Sequence, residues 1–433
     1  MSRNTSFGRR LLGFGALPFI SALTPFLVLP VISRVGGPTG WAAIGVGQSL
    51  GSFAAVFAIG GWSLYGPARV ASGRAEDQRA VYRTSVAGRA LLYLAAVPLL
   101  YLVSVLIVPA PEVMLAFGTA AAFALAGLSP AWYAIGVGRP GLIAKYELGP
   151  KSVSALVAAG LVALTGGVWI YPVLVAAGTV GGIVAMQRFE VRSPIGFRSV
   201  VHAARGLWSD RSAAFAVLAG GVYSTIPVAV VGALAPVADV ARYSSGDRLY
   251  RIGLLAIVAL SNALQGWVAE RGGSVVRRGA RSLQAHTALG LAGGAALAGL
   301  TPAVSTVLFG AQLAATWPTA IGYGVAFCAV SINTSIGGHI LVPHGRARMV
   351  LASTIAGAVT GLLAMGALIP RVGAPGGAIG LAIGEVVVCL VQLVGYLQVR
   401  RAASGGVTAS AGCGEGETGL SADSSALYPG PAR

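Results

Sequence analysis

Carboxylates are scarce in this chain: Asp and Glu number 13 among 433 residues, against 30 Lys and Arg, and charged residues of every kind make up 10%. Soluble domains carry about 25% charged residues, so this chain is built for lipid. Cysteine is almost absent. Cys328 and Cys389 fall inside apolar runs and Cys413 near the C-terminus, which argues against a disulfide framework or a metal site. His339 and His344 have no metal partner at helical spacing and read as interfacial residues. No Walker A loop or HExxH motif occurs, so neither an ATP-driven pump nor an enzyme is expected, and no cofactor is called for. Long outer loops are missing too, which disfavours a membrane polymerase or ligase built on an external catalytic loop.

What fills the chain is apolar sequence: 55% of residues are hydrophobic and the mean hydropathy is +0.78. A membrane span takes about 20 such residues. Hydropathy with Pro, Gly and charge breaks gives twelve spans. They run Leu11–Ile32, Trp41–Tyr65, Ala90–Val108, Val113–Val137, Val153–Leu164 and Val168–Met186 in the first half. Ala213–Leu234, Arg242–Val268, Leu283–Phe309, Ala314–Ile340, Val350–Leu368 and Ala374–Leu397 follow. The opening "MSRNTSFGRR" and its apolar run resemble a signal peptide, but the run is long and lacks a small-residue cleavage site, so it reads as a retained first helix. Pro18, Pro25 and Pro30 in the first span and Pro227 in the seventh are expected to kink or break their helices.

The net charge of +17 could suggest a nucleic-acid partner, but the basic residues lie in short loops between apolar runs, which suits membrane orientation instead. With the N-terminus inside, only Arg34, Arg242, Arg248, Arg251 and Arg371 of the basic residues fall at the outer side. The rest gather inside, as the positive-inside rule demands, and both termini are then cytoplasmic. The loop pattern repeats after about 200 residues, which implies two parallel six-helix halves around a central site. The expected organisation is a bundle over 1–200 ending in an inner connecting loop, a second bundle over 201–400, and a disordered cytoplasmic tail over 401–433 that is rich in Gly, Ser and Ala. In the inner loop, Arg188 to Arg211, His202, Glu190 and Asp210 read as part of a solvated connector anchored to anionic lipid.

The eighth span opens with "ARYSSGDRLYRIGLLAIVAL". Winding it at about 100° per residue puts Ser244, Asp247, Arg248, Arg251, Asn262 and Gln265 on one polar stripe. Arg242 falls opposite and reads as an interfacial anchor. Arg251 lies roughly 15 Å along the axis, where a charge costs about 3 kcal/mol and normally faces a cavity. Two readings stay open for the stripe: an anion site lining a cavity, suited to phosphate by the planar guanidinium fork, or an outer-leaflet anchor with Asp247 paired to Arg251 at i, i+4. Glu385 is the one carboxylate deep in a span, with Gln392 on the same face. It reads as a coupling site for H⁺ or Na⁺, a partner for a cavity arginine, or a buried hydrogen bond within the second bundle. Asn333, with Ser331 and Thr334, reads as helix–helix glue or cavity lining.

Several stretches carry a family resemblance. "LPVISRVGGPTGWAAIG", with Pro30, Arg34, Gly36 and Gly40, is similar to the first-span exit of the polysaccharide exporters. These are O-antigen-type (Wzx-like) flippases of the multidrug/oligosaccharidyl-lipid/polysaccharide (MOP) superfamily. "GGWSLYGPARVA" resembles their second-span end and "LSPAWYAIGVGRPGLIAKYEL" their fourth; "VARYSSGDRLYRI" resembles the start of their eighth span and "LIPRVGAPGGAIGLAIGEVVVCLV" their twelfth, with Glu385. Together these cover about residues 8 to 400. In the fourth-span segment, Arg139 stands as the only nearby charge where many members carry Glu or Arg.

The resemblance implies an all-α, MATE-like fold of two six-helix bundles in the cytoplasmic (inner) membrane. It further implies that the chain flips a polyprenyl-pyrophosphate-linked oligosaccharide during cell-surface polysaccharide assembly, alongside the machinery that builds the polymer and in contact with membrane lipids. Arg248 and Arg251, with Asp247, Arg34, Asn262 and Gln265, would meet the substrate, and Glu385 and Asn333 would serve coupling or line the cavity. The alternatives are an H⁺- or Na⁺-coupled drug or metabolite antiporter of the same superfamily, expected to hold several lumen carboxylates, and a peptidoglycan-precursor flippase, usually with extra spans.

Overall fold

A chain surrounded by acyl tails must satisfy every backbone N–H and C=O internally, and long Ala-, Leu- and Val-rich runs do so as helices. In the computed structural model, residues 2–71, 73–192, 224–269 and 275–411 are described, with 196, 199–201, 203 and 221 besides, and every regular element among them is helical. The first half comprises α1 (Ser2–Ile59), α2 (Trp62–Ala71), α3 (Ala75–Ile107), α4 (Val113–Ala124), α5 (Ala131–Gly136), α6 (Gly141–Ile143), α7 (Gly149–Thr165) and α8 (Ile170–Met186). The second comprises α9 (Pro227–Leu234), α10 (Val237–Ala269), α11 (Val275–Phe309), α12 (Trp317–Thr334), α13 (Ala347–Val372) and α14 (Ala374–Ala411). Three π-helical stretches join or extend them: Ala144–Leu148 before α7, Gln187–Val191 after α8 and Ser335–Leu341 after α12.

Nine stretches of the described residues are long and apolar enough to cross a membrane. One of them, Leu27–Ile59, takes in the second span and the end of the first, and α1 as a whole (Ser2–Ile59) covers both, because it breaks at Gly37 with φ 58° and ψ −166°. The start of the seventh span lies outside the described residues, and α10, with its charged opening, is not among the nine. With those two the chain keeps the order of the twelve-span reading, an all-helical integral membrane fold.

Several boundaries differ from expectation, each for a local reason. The first-span prolines leave the helical backbone continuous, and the break falls at Gly37, where a positive φ suits only glycine. Pro227 does open a new helix, α9, after a bend at Ile226. The second span stops at Ile59, where Gly60 takes φ 52°, and α2 follows separately. Pro130 splits the fourth, since proline ends the preceding turn and caps α5. The fifth is longer than its apolar core: Gly141–Thr165 forms one candidate span through the Ala144–Leu148 π turn. The α14 backbone stays helical to Ala411, past the point where the tail was expected to begin.

The halves pack internally through α1 on α4 and α7 in the first, and through α11 on α12 and α13 on α14 in the second. Leu94, Leu99, Leu102 and Leu106 on α3, Leu291 and Leu300 on α11, and Leu363 on α13 are exposed, an apolar belt for the bilayer. The halves join where α1 lies against α9 and α10. Contact there is close enough to require glycine: a Cβ on Gly45 would lie 2.3 Å from Ser244 Oγ.

Candidate functional site

The seam between the halves is tightest at the end carrying the turns at Gly37, Ala235 and Gly310, named the outer end after the orientation expected from charge. Gly37 delivers Trp41 to the start of the second α1 segment, where it is fully buried. Its Nε1 donates to Ser245 Oγ of α10 at 3.0 Å, and its ring stacks on Phe309 of α11 at 5.2 Å. Arg34 Nη2 donates to the Val307 carbonyl at 2.8 Å from the exposed lip. Deeper in, Ser49 Oγ accepts from Ala229 N at 3.1 Å and donates to the Thr225 carbonyl at 2.5 Å.

Arg248 stands in this seam. Its guanidinium lies 5.8 Å from the Trp41 ring centroid, in a cleft lined by Leu29 and Pro30 of α1 and Leu308 and Phe309 of α11. Its Nε is buried and makes no hydrogen bond, although an unpaired buried donor costs about 1–3 kcal/mol, more for a charged group. The neighbouring carboxylate is engaged elsewhere: Arg251 Nε donates to Asp247 Oδ2 at 2.6 Å. Asp247 is 4% exposed, whereas Arg251 keeps 35% of its side chain accessible, so its terminal nitrogens can still meet a second anion. Tyrosines back the pair. Tyr250 stacks on Tyr323 at 5.1 Å, and Tyr323 donates to the Tyr243 carbonyl at 3.3 Å.

The rest of the expected stripe lies elsewhere. Asn262 and Gln265 share the helical face of Ser244 and Arg248 but sit roughly 20–25 Å further along α10. That face is buried against α1 at Ser244 and exposed at Asn262 and Gln265. Thr24 Oγ1 in the first α1 segment donates instead to Ser152 Oγ of α7 at 3.0 Å, within its own half. The outer end is closed by side chains from both halves. Arg242, on the opposite face of α10, pairs with Asp239 at 3.6 Å.

Glu385 meets Asn333, not an arginine. Asn333 Nδ2 donates to Glu385 Oε2 and to the Glu385 carbonyl, both at 3.1 Å, tying α12 to α14. Gln392 donates to Ser353 Oγ at 3.1 Å. Glu190 folds back on the first half, at 3.3 Å from Arg139 and within 3.2 Å of the Tyr146 hydroxyl, while His202 and Asp210 lie outside the described residues.

Sequence reasoning missed two buried clusters. Arg89 is fully buried and donates to the Gly127 and Ser129 carbonyls at 3.0 and 2.7 Å. Beside it, Ser129 donates to Glu147, which also binds Lys151 at 3.0 Å. The second cluster corrects an expectation: His339 is 2% exposed, with its ring 5.4 Å from that of fully buried His286, and only His344 is exposed. The interfacial reading failed for His339 because the π turn Ser335–Leu341 rotates it into the bundle.

No protein-family model matches the sequence, and no curated protein matches it either. Solved structures do resemble the fold. An inward-facing MATE-family multidrug transporter of the MOP superfamily aligns over 88% of this chain and 95% of its own, with TM-score 0.61 and 17% identity. The lipid II flippase MurJ, in an inward closed conformation, aligns over 90% of each chain with TM-score 0.70 and 13% identity. A MATE transporter in complex with MaL6 aligns over 91% and 95% with TM-score 0.57 and 16% identity. The chain has the fold of the MOP superfamily transporters, shared by MATE exporters and the MurJ flippase.

Proposed function

We propose that this protein flips a polyprenyl-pyrophosphate-linked oligosaccharide across the cytoplasmic membrane for cell-surface polysaccharide assembly. Residues 1–200 and 201–400 rock as two bodies, with both termini and the 401–433 tail on the cytoplasmic side. The observation that carries this reading is Arg248: a guanidinium in the seam between the halves, with Nε unbonded and Asp247, the adjacent carboxylate among the described residues, already held by Arg251. A site with that surplus of positive charge suits a diphosphate, which takes bidentate bonds from arginine.

In this mechanism the oligosaccharide enters beside α10 at the level of exposed Asn262 and Gln265, which offer neutral hydrogen bonds to sugar hydroxyls. The pyrophosphate travels to Arg251 and Arg248 while the lipid tail stays in the bilayer, because a charged headgroup cannot cross hydrocarbon unaided. Anion binding competes with the Arg248–Trp41 contact, loosening the Trp41–Ser245 and Arg34–Val307 closure, and Arg34 meets the diphosphate at the exit. Coupling to H⁺ or Na⁺ falls to the second half, where Glu385 and Asn333 form one station.

A drug-cation antiporter would place unpaired carboxylates in the seam; among the described residues Asp247 is the one beside Arg248, and it is neutralised. A MurJ-like precursor flippase differs from this proposal only in its headgroup. Binding discriminates between charge and tail. Native mass spectrometry of the purified chain should retain a prenyl diphosphate over the matching prenyl alcohol by tenfold or more, with Arg248→Ala/Arg251→Ala removing that preference. Equal retention of the alcohol and diphosphate by the native chain would contradict the reading.

A further inference from the structure

The second half holds a polar cluster that substrate binding does not use. Ser282 Oγ of α11 lies 2.6 Å from His339 Nδ1, 3.4 Å from His286 Nδ1 and 3.0 Å from Ser335 Oγ. Ser261 Oγ of α10 lies 3.3 Å from His339 Nε2, and Ser331 donates to the His286 carbonyl at 2.6 Å. Three transmembrane elements thus converge on two imidazoles whose ring centroids are 5.4 Å apart. One of those elements is α10, which carries Asp247, Arg248 and Arg251 toward its outer end.

The hydrogen bonds assign the tautomer of His286. Its Nδ1 lies 3.0 Å from the Ser282 carbonyl, an atom that only accepts, so Nδ1 carries the hydrogen and donates. Nε2 is then a bare lone pair, buried and without a hydrogen-bond partner. We propose that the His286–His339 pair binds one transported or coupling proton, taken at His286 Nε2. In the step the Nε2 lone pair forms an N–H bond as an O–H bond of hydronium breaks, a water molecule leaves, and the pair gains one positive charge. A second proton is disfavoured by the first across so short a distance, so the pair titrates as a unit.

The surroundings suit a reversible site. The groups facing the rings are neutral: Ser261 from α10, Ser282 from α11, Ser331 and Ser335 from the α12 region, and Gln392 of α14, which approaches Gly337 and is itself bonded to Ser353 of α13. Among the described residues no carboxylate hydrogen-bonds either ring; Glu385 binds Asn333, and toward the basic-loop end Arg278 donates to the Trp267 carbonyl and Arg281 is exposed. Without a fixed counter-ion, a charged pair must reorganise its serines. His339 rides on the π-helical stretch Ser335–Leu341, a local geometry common at functional sites. Release of Ser261 from His339 frees α10 to move against α11 and α12, which links the proton to the helix that bears the arginines.

The proposal deepens the transport reading, taking from it only that the chain has two states, and its test needs no substrate. Imidazole ¹⁵N spectra of the full chain in detergent should show one of these two rings gaining a proton between pH 8 and pH 5, with the signal assigned by loss in His286→Gln and in His339→Gln. In parallel, spin labels at exposed Leu64 and Val342, near the basic-loop ends of the two halves, should change their distance populations severalfold over that range. The change should vanish in His286→Gln and persist in His344→Gln, an exposed histidine outside the cluster. Wild-type rings that stay neutral to pH 5 overturn the proposal even if the variants fold poorly, and so does a pH response lost in Glu385→Gln but kept in His286→Gln. If the proton response stands while prenyl diphosphate is ignored, the substrate reading fails and this one survives.

Discussion

Arg89 illustrates how a single residue can hold a membrane half together. Its guanidinium bridges the Gly127 and Ser129 carbonyls, groups that Pro130 and the preceding 3₁₀ turn deprive of helical partners. Arg89→Ala strands both carbonyls in a dry interior at about 1–3 kcal/mol each, and should lower the melting temperature in detergent by several degrees. Arg89→Lys, which keeps the charge but not the fork, should recover only part of that loss; an unchanged melting point for the alanine variant would show the bridge to be unimportant. Hydropathy could not single Arg89 out, because it precedes an apolar run beginning at Ala90 and looks like a boundary charge. His286 escaped notice for a related reason: its partners Ser282 and His339 are separated by a whole span, and local spacing carries no trace of the contact. The Asp247–Arg251 pair, by contrast, was legible at i, i+4 on one helix.

Elements were legible where hydropathy alone decides and illegible where backbone geometry does. The spans of α3, α8, α11, α13 and α14 follow the apolar runs, since lipid permits little else. The division of α1 does not follow its prolines. Each proline costs one backbone hydrogen bond, yet the helix passes through them and turns at Gly37, whose φ of 58° with ψ of −166° is reached cheaply only without a Cβ. Gly37→Ala should therefore cost about 1–3 kcal/mol and lower the melting temperature, although a methyl there meets no other atom within 4 Å. Gly118→Ala, equally open but on regular helix, should be neutral or slightly stabilising. Equal melting of both variants would place the break elsewhere. Asn262 and Gln265 make the complementary point: period alone put them with Arg248, and depth along α10 separates them.

At the scale of the whole molecule, the seam is shut at one end. Trp41, Ser245, Phe309, Arg34 and Val307 close the outer side, and Gly45 brings α1 onto Ser244. Alternating access requires that closure to break. Cysteines at Gly45 and Ser244, with Cys328, Cys389 and Cys413 replaced, would start with β-carbons about 3.0 Å apart, inside the roughly 3.5–4.5 Å of a disulfide, so a bridge forms once α1 and α10 part by about half an ångström. Oxidation should arrest transport and reduction restore it, while full activity in the cross-linked protein would mean the halves need not separate there. The all-helical membrane architecture was readable from hydropathy, but the state of the seam was not, since it depends on side chains of α1, α10 and α11 meeting across the molecule.

The central claim is that surplus positive charge at Arg248 and Arg251 carries a diphosphate headgroup across the bilayer. Its most direct measurement is the flipping of a fluorescent polyprenyl-pyrophosphate disaccharide in proteoliposomes, read as quenching by a membrane-impermeant reductant. Native protein should expose the inner-leaflet lipid at least tenfold faster than empty vesicles. Arg248→Ala/Arg251→Ala should fall to background at equal incorporation, with lysine at both positions retaining part of the rate. A double-alanine variant that flips the lipid at the native rate would contradict the account.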